Sequence, residues 1–312
     1  MNWFLANIVL IQTTFTTALL ALSLQIPMRA GMFSFAGFGA FGIGGYTAAI
    51  AMIHLGWPTY PAIALGVIVA AASTYVLGLL VRRLNGLYLG MATLAFTLII
   101  AVIVVNGGTL TGGAAGLYGA VGDIELPQIA LITVAVIAVV AYFETGRRGR
   151  RADAVREDPA LAAAMGINSS RFRLLAFLAS GAVGGLTGAL MTLSRTTIAP
   201  TDINFHMIVL ALTVIVVGGW GSWVGVAIGS VVFVWLPTWL GFVSEWEGVI
   251  YGFLVALAAV FLPDGVLGVI KSWIRKSRMR GRPSTVETSA IPSIRAVSGE
   301  ASAHRAKTEG PS

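Results

Sequence analysis

Hydrophobic residues along this chain gather into nine runs, at 4–26, 33–53, 62–81, 87–105, 128–143, 174–193, 207–217, 223–240 and 249–262. A helix that crosses a bilayer needs about 20 mostly apolar residues, and only a helix or a closed barrel satisfies its own backbone there. Most runs meet that length. The runs 207–217 and 249–262 are short enough to tilt against neighbours or re-enter, and 33–53 is unusually rich in glycine. The pattern predicts an all-α polytopic integral membrane protein of eight or nine transmembrane helices, with ten as the upper bound. The run 4–26 has no basic residue before it and no small-residue cleavage site. It reads as a first span rather than a removed signal peptide.

The polar connectors sort by charge. Residues 106–127 are Gly-rich and mildly acidic, 144–173 strongly basic, and 195–206 polar. Basic residues mark cytoplasmic connectors. With the amino terminus outside, nineteen of the twenty Lys and Arg fall inside, and only Arg195 falls outside. The acidic pairs Asp123 with Glu125 and Glu245 with Glu247 then lie on the outer face. An odd number of crossings puts the carboxyl terminus in the cytoplasm. The chain divides into a transmembrane domain over 1–270 and a basic tail over 271–312. Beyond Pro283 the tail lacks the apolar content to fold, so it is expected to be largely disordered.

Composition sharpens this picture. Of 312 residues 57% are hydrophobic and 11% charged, against about 25% charged in soluble domains. The net charge of +7 would suggest nucleic acid in a soluble protein, but topology accounts for these arginines first. The absence of cysteine excludes disulfides, thiolate metal sites and cysteine nucleophiles. The middles of the runs hold no cluster of His, Asp or Glu for acid–base or metal chemistry, which argues against a membrane enzyme. Charge buried at depth is costly and kept for function, so its lack also argues against proton-coupled transport. No phosphate-binding G-x-x-x-x-G-K-[S/T] occurs. The chain is expected to bind no cofactor and no ATP through a phosphate loop of its own, so energy for uphill movement would come from another subunit.

Small residues one turn apart let membrane helices approach closely. Gly181 with Gly185 and Gly184 with Gly188 form two such spacings, and Gly221, Gly225 and Gly229 a third series. These are packing positions.

The basic connector carries a complete set of helix-end signals. Asp158 suits an N-cap, Pro159 the first helical position, and Gly166 the left-handed residue after the last turn. A short helix is therefore specified over 159–165, presenting Leu161, Ala164 and Met165 to solvent or to a partner. It is either a capped surface loop or a docking element.

From the same connector onward, EDPALAAAMGINSSRFRLLAFLASGAVGGLTGAL resembles the cytoplasmic segment and following span of branched-chain amino acid ABC transporter permeases, specifically their LivM branch. MFSFAGFGAFGIGGYTAA (32–49), GLYLGMATLAF (86–96), VVGGWGSWVGVAIGS (216–230) and FLPDGVLG (261–268) resemble further elements of that family, in the same order. The likeness covers about residues 18 to 268. The histidine common in the family's early stretch falls at Gly37, and the arginine of its closing motif at Leu262.

The resemblance implies a permease subunit in the plasma membrane, paired with a homologous LivH-type permease. Two cytoplasmic ATPase subunits, holding ATP and Mg, would drive it, and an extracytoplasmic binding protein would deliver branched-chain amino acids. The ATPase-docking element would comprise Glu157, Asp158, Pro159, Ala160, Leu161, Ala164, Met165, Gly166 and Ile167. The connectors 106–127 and 195–206 would face the binding protein. The substrate path would run near Ser34, Gly37, Gly42, Gly44 and Tyr46. Other readings are an ABC permease for urea, a short amide or a sugar, and a stand-alone secondary transporter. His54 and His206, at run ends, read as interfacial residues, as do Trp3, Trp57, Trp246 and Trp273.

Topology is directly testable because any introduced cysteine is unique. In intact cells Ser169→Cys should resist a membrane-impermeant thiol reagent and Thr111→Cys should react. The opposite labelling would invert the orientation.

Overall fold

Seven stretches of the computed structural model are helices long and apolar enough to cross a membrane. The structure describes residues 7–219, 221–239 and Gly252. In chain order the helices are α1 (Ile8–Arg29), α2 (Ala36–Ile53), α3 (Thr59–Leu80), α4 (Gly86–Asn106), α5 (Leu126–Glu144), α6 (Gly146–Glu157), α7 (Pro159–Ala164), α8 (Ser169–Arg195), α9 (Phe205–Gly218) and α10 (Trp223–Trp239). The candidate spans are α1 to α5, α8, and Pro200–Gly218, which contains α9; α10 supplies the shorter apolar helix Trp223–Leu236. The chain is thus an all-α multi-pass protein. The ninth run, 249–262, apart from Gly252, and the tail from Lys271 lie outside the described residues, as do Trp3, Trp246 and Trp273.

α8 is the centre. It packs most extensively on α2, then α3, then α1, and α2 is the most buried of the spans. Glycine makes this possible. A Cβ built on Gly184 would strike the carbonyl of Gly37, and one on Gly188 that of Phe41. A Cβ on Gly44 would strike the backbone of Gly185, and one on Gly181 the hydroxyl of Thr74. Lipid is as apolar as leucine, so van der Waals contact between backbones replaces the hydrophobic drive available in water. α4 and α5 lie at the periphery, with few of their side chains buried.

The third glycine series divides between a helix contact and a turn. Gly225 and Gly229 sit against the backbone of Gly218 and Val214, where α10 meets α9. Gly221 belongs to the turn before α10, and a Cβ there would meet nothing within 4 Å among the described residues. Within this series it is Gly225 and Gly229, four residues apart on α10, that make the contact with α9.

Buried hydroxyls are satisfied locally. Thr74, Thr93 and Thr133 each donate to the carbonyl four residues back, at 3.0, 2.9 and 2.8 Å, which removes the cost of an unpaired polar group in hydrocarbon. Ser180 donates across helices to the carbonyl of Ser23 at 2.6 Å. The Trp235 indole N–H reaches the Thr14 hydroxyl at 3.2 Å.

The connectors segregate into two faces. On one, Leu117–Tyr118 (β1) pairs antiparallel with Thr197–Ile198 (β2), in register Leu117 to Ile198. Beside this ladder the Asp123 N–H donates to the Thr59 hydroxyl at 3.2 Å. On the other face, Arg29 pairs with Glu144 at 2.7 Å, and Arg82 shares a cleft with Ser169, Ser170 and Arg173. The connectors grouped by charge are therefore also grouped in space.

Gly188→Ala should destabilise the purified protein by about 1–3 kcal/mol, as overpacking does where backbone must move. Gly221→Ala should stay within about 0.5 kcal/mol of wild type, as an unobstructed surface change does. Thermal melts in detergent measure both, and equal melting temperatures would contradict the packing account.

Candidate functional site

The arginine-rich face carries a helical hairpin made of α6 and α7. The residues 147–156 fold as a regular helix, an element that periodicity alone does not signal in so polar a stretch. Arg, Ala and Glu are good helix formers, and Gly149 and Val155 are buried on one side. Gly149 has its Cα against the carbonyl of Glu144, so α6 folds back tightly onto the end of α5. At its far end the Cα of Arg156 lies 3.1 Å from where a Cβ on Gly31 would stand. Arg148 spans the start of α6, its guanidinium 4.7 Å from the Tyr142 ring centroid and 4.9 Å from that of Phe143. An arginine stacked on aromatic faces gains a cation–π attraction that fixes its direction.

α7 follows at once, and its ends form as its residues dictate. The Asp158 carboxylate accepts the N–H groups of Ala160 at 2.8 Å and Leu161 at 3.0 Å. Pro159 occupies the first helical position. Gly166 has φ +81°, which lets the chain reverse where a side chain would be strained. The reversal is closed by the Ile167 N–H on the Ala162 carbonyl at 3.0 Å. Ser169 then donates to the Pro159 carbonyl at 3.2 Å, tying the hairpin to the start of α8.

The helix is placed to be read from outside the chain. Ala162 is turned inward and Ile167 is half-buried. Leu161 is 59% exposed and Met165 70% exposed, one turn apart on the same outward side. Glu157, Asp158, Pro159, Ala160, Ala164 and Gly166 are exposed around them. Among the described residues this is a capped helix offering two large apolar side chains and rigid ends.

The residues assigned to a substrate path fall at helix contacts. Ser34, fully buried, accepts the Ala36 N–H at 3.2 Å and shapes the start of α2. Gly37 lies between α1 and α8, where a Cβ would stand 2.6 Å from the Ser23 hydroxyl and 2.9 Å from that of Ser180. A histidine there would force apart the helices that the Ser180–Ser23 bond joins. Gly42 meets Ile203, and Gly44 meets Gly185. Tyr46 differs, because its buried hydroxyl has no hydrogen-bond partner among the described residues. None of the five lines the cleft around Arg82 and Arg173 or the one beside Pro159 and Asn168.

Asp, Glu, Lys and Arg stand only at the ends of the described spans, and the capped hairpin lies on the arginine-rich face. Such an arrangement defines a multi-pass membrane protein whose charged groups, among the described residues, stand at the ends of its spans. Residues 7–259 match the family described as branched-chain amino acid transport system, permease component, and the chain belongs to that family. It is 26% identical over 292 residues to the high-affinity branched-chain amino acid transport system permease protein LivM of Salmonella typhimurium. That alignment covers 82% of this chain and 69% of the relative. The LivM protein of Escherichia coli K12 gives the same identity and coverage. The LivH permease protein of Salmonella typhimurium is 26% identical over 171 residues, 52% of this chain and 53% of that protein. No solved structure matches.

Proposed function

We propose that this chain is the LivM-type half of a permease pair in an ATP-driven importer of branched-chain amino acids. Its mate is a LivH-type permease, two cytoplasmic ATPase subunits supply the energy, and an extracytoplasmic binding protein delivers the solute. ATP and Mg belong to the ATPase subunits. The amino terminus lies outside and the carboxyl terminus in the cytoplasm, with eight or nine crossings. The glycines Gly181, Gly184, Gly185, Gly188, Gly225 and Gly229 serve helix packing.

The exposure of Leu161 and Met165 on the capped helix α7 carries this reading. An apolar pair one turn apart is how a helix engages a groove, and lipid contact would not require the complete end signals at Asp158 and Gly166. The segment 157–167 is therefore the ATPase-docking element. The connectors joined by the β1–β2 ladder are the surface for the binding protein. Tyr46, with its unpartnered hydroxyl, is the residue of α2 best suited to meet a solute.

Leu161→Glu places a charge on the docking face without altering the helix ends. The variant should reach the membrane at wild-type level and fail to retain the ATPase on purification, with uptake lost. Gly166→Val should do the same by redirecting the chain into α8. Asp158→Ala should have the mildest effect, since an N-cap is worth about 1 kcal/mol. Full ATPase retention and normal uptake in Leu161→Glu would overturn the docking assignment.

A further inference from the structure

The inner face contains one ion pair that neither helix packing nor the docking surface explains. Arg29 is the last residue of α1 and Glu144 the last residue of α5. Their side chains, 17% and 11% exposed, meet at 2.7 Å. The second carboxylate oxygen of Glu144 accepts the backbone N–H of Trp223, the first residue of α10, at 3.2 Å. One carboxylate therefore holds three helices together, with its negative charge at the amino end of α10 where the helix dipole favours it.

The position of Glu144 in the chain gives this a consequence. It immediately precedes the α6–α7 hairpin. Gly149 rests on the carbonyl of Glu144, and Arg156 at the far end of α6 lies on Gly31, two residues beyond Arg29. The first helix of the hairpin, α6, is thus fastened at one end to Glu144 itself and at the other to Gly31, just beyond Arg29. Solvent-exposed pairs are weak and break readily. This pair is largely removed from water, so parting it would leave a charge uncompensated.

We infer that the Arg29–Glu144 pair is the joint that carries movement of the docking hairpin into the spans α1 and α10. Glu144 and Arg29 are positioning residues for transport, and they contact neither solute nor ATPase. The inference rests on the docking function proposed for α7. It adds that ATPase binding and energy transfer reside in different residues, binding at Leu161 and Met165 and transfer at Glu144. A push on α7 would reach α1 and α10 together, because the carboxylate keeps them in one body.

The test uses the full complex in vesicles and measures leucine molecules accumulated per ATP hydrolysed. Glu144→Gln and Arg29→Met each break the pair, and the double variant removes both charges. ATPase should co-purify with all three at wild-type stoichiometry. Leucine per ATP should fall roughly fivefold or more in each, the lower range of an energetic coupling between sites. The double variant leaves no buried charge alone, so its membrane level should equal wild type even if the single variants fold poorly. Its coupling should stay low. If the pair were only structural, relieving the unpaired charge would restore coupling as well as level. Wild-type coupling in the double variant therefore overturns the inference. A wild-type complex that retains no ATPase, or that needs no ATP, would instead reject the importer reading on which it rests.

Discussion

The close approach of α2 and α8, backbone on backbone, is the constraint on which the remaining structure depends. Inside a bilayer there is no water to expel between helices, so association rests on contact distance and on hydrogen bonds. Gly37, Gly44, Gly184, Gly185 and Gly188 supply that distance. The Ser180 bond to Ser23 extends the contact to α1, while Gly66 and Ala70 on α3 close the other side. Once these four helices are packed, α4 and α5 can remain peripheral, and the connectors fall onto two distinct faces.

A core closed this way leaves little room for a charged side chain at depth, and Asp, Glu, Lys and Arg stand only at the ends of the described spans. The proposed drive from the span ends is consistent with that arrangement. The face that carries the β1–β2 ladder is knit together by main-chain pairing between distant connectors. The opposite face presents a rigid, exposed helix beside a buried ion pair. This asymmetry suits a subunit that receives solute on one side and work on the other.

Much of this was legible in the residues. Spans follow from apolar runs, because a bilayer imposes a length and leaves few alternatives. Asp158, Pro159 and Gly166 signal the ends of α7 locally, and the structure forms them as signalled. The failures are contacts between distant positions. No local signal distinguishes Glu144 as the partner of Arg29, 115 residues earlier by their numbers. The pairing of Leu117 with Ile198 involves only two residues on each side, too few for a strand pattern. α6 was hidden because its charged residues mask a small buried side, and regular glycine spacing continues through Gly221 although that residue stands in a turn. The path residues illustrate another limit, since glycines suited to a channel lining are equally suited to a helix contact.

The central claim is that transport is driven from the hairpin face by ATP and supplied from the ladder face by a separate protein. Radiolabelled leucine uptake into vesicles holding the assembled permease and ATPase subunits tests it directly. Uptake should require both ATP on the ATPase side and the binding protein on the other, and fall to background when either is left out. Equal uptake without ATP and without the binding protein would contradict the account and leave a transporter that works alone.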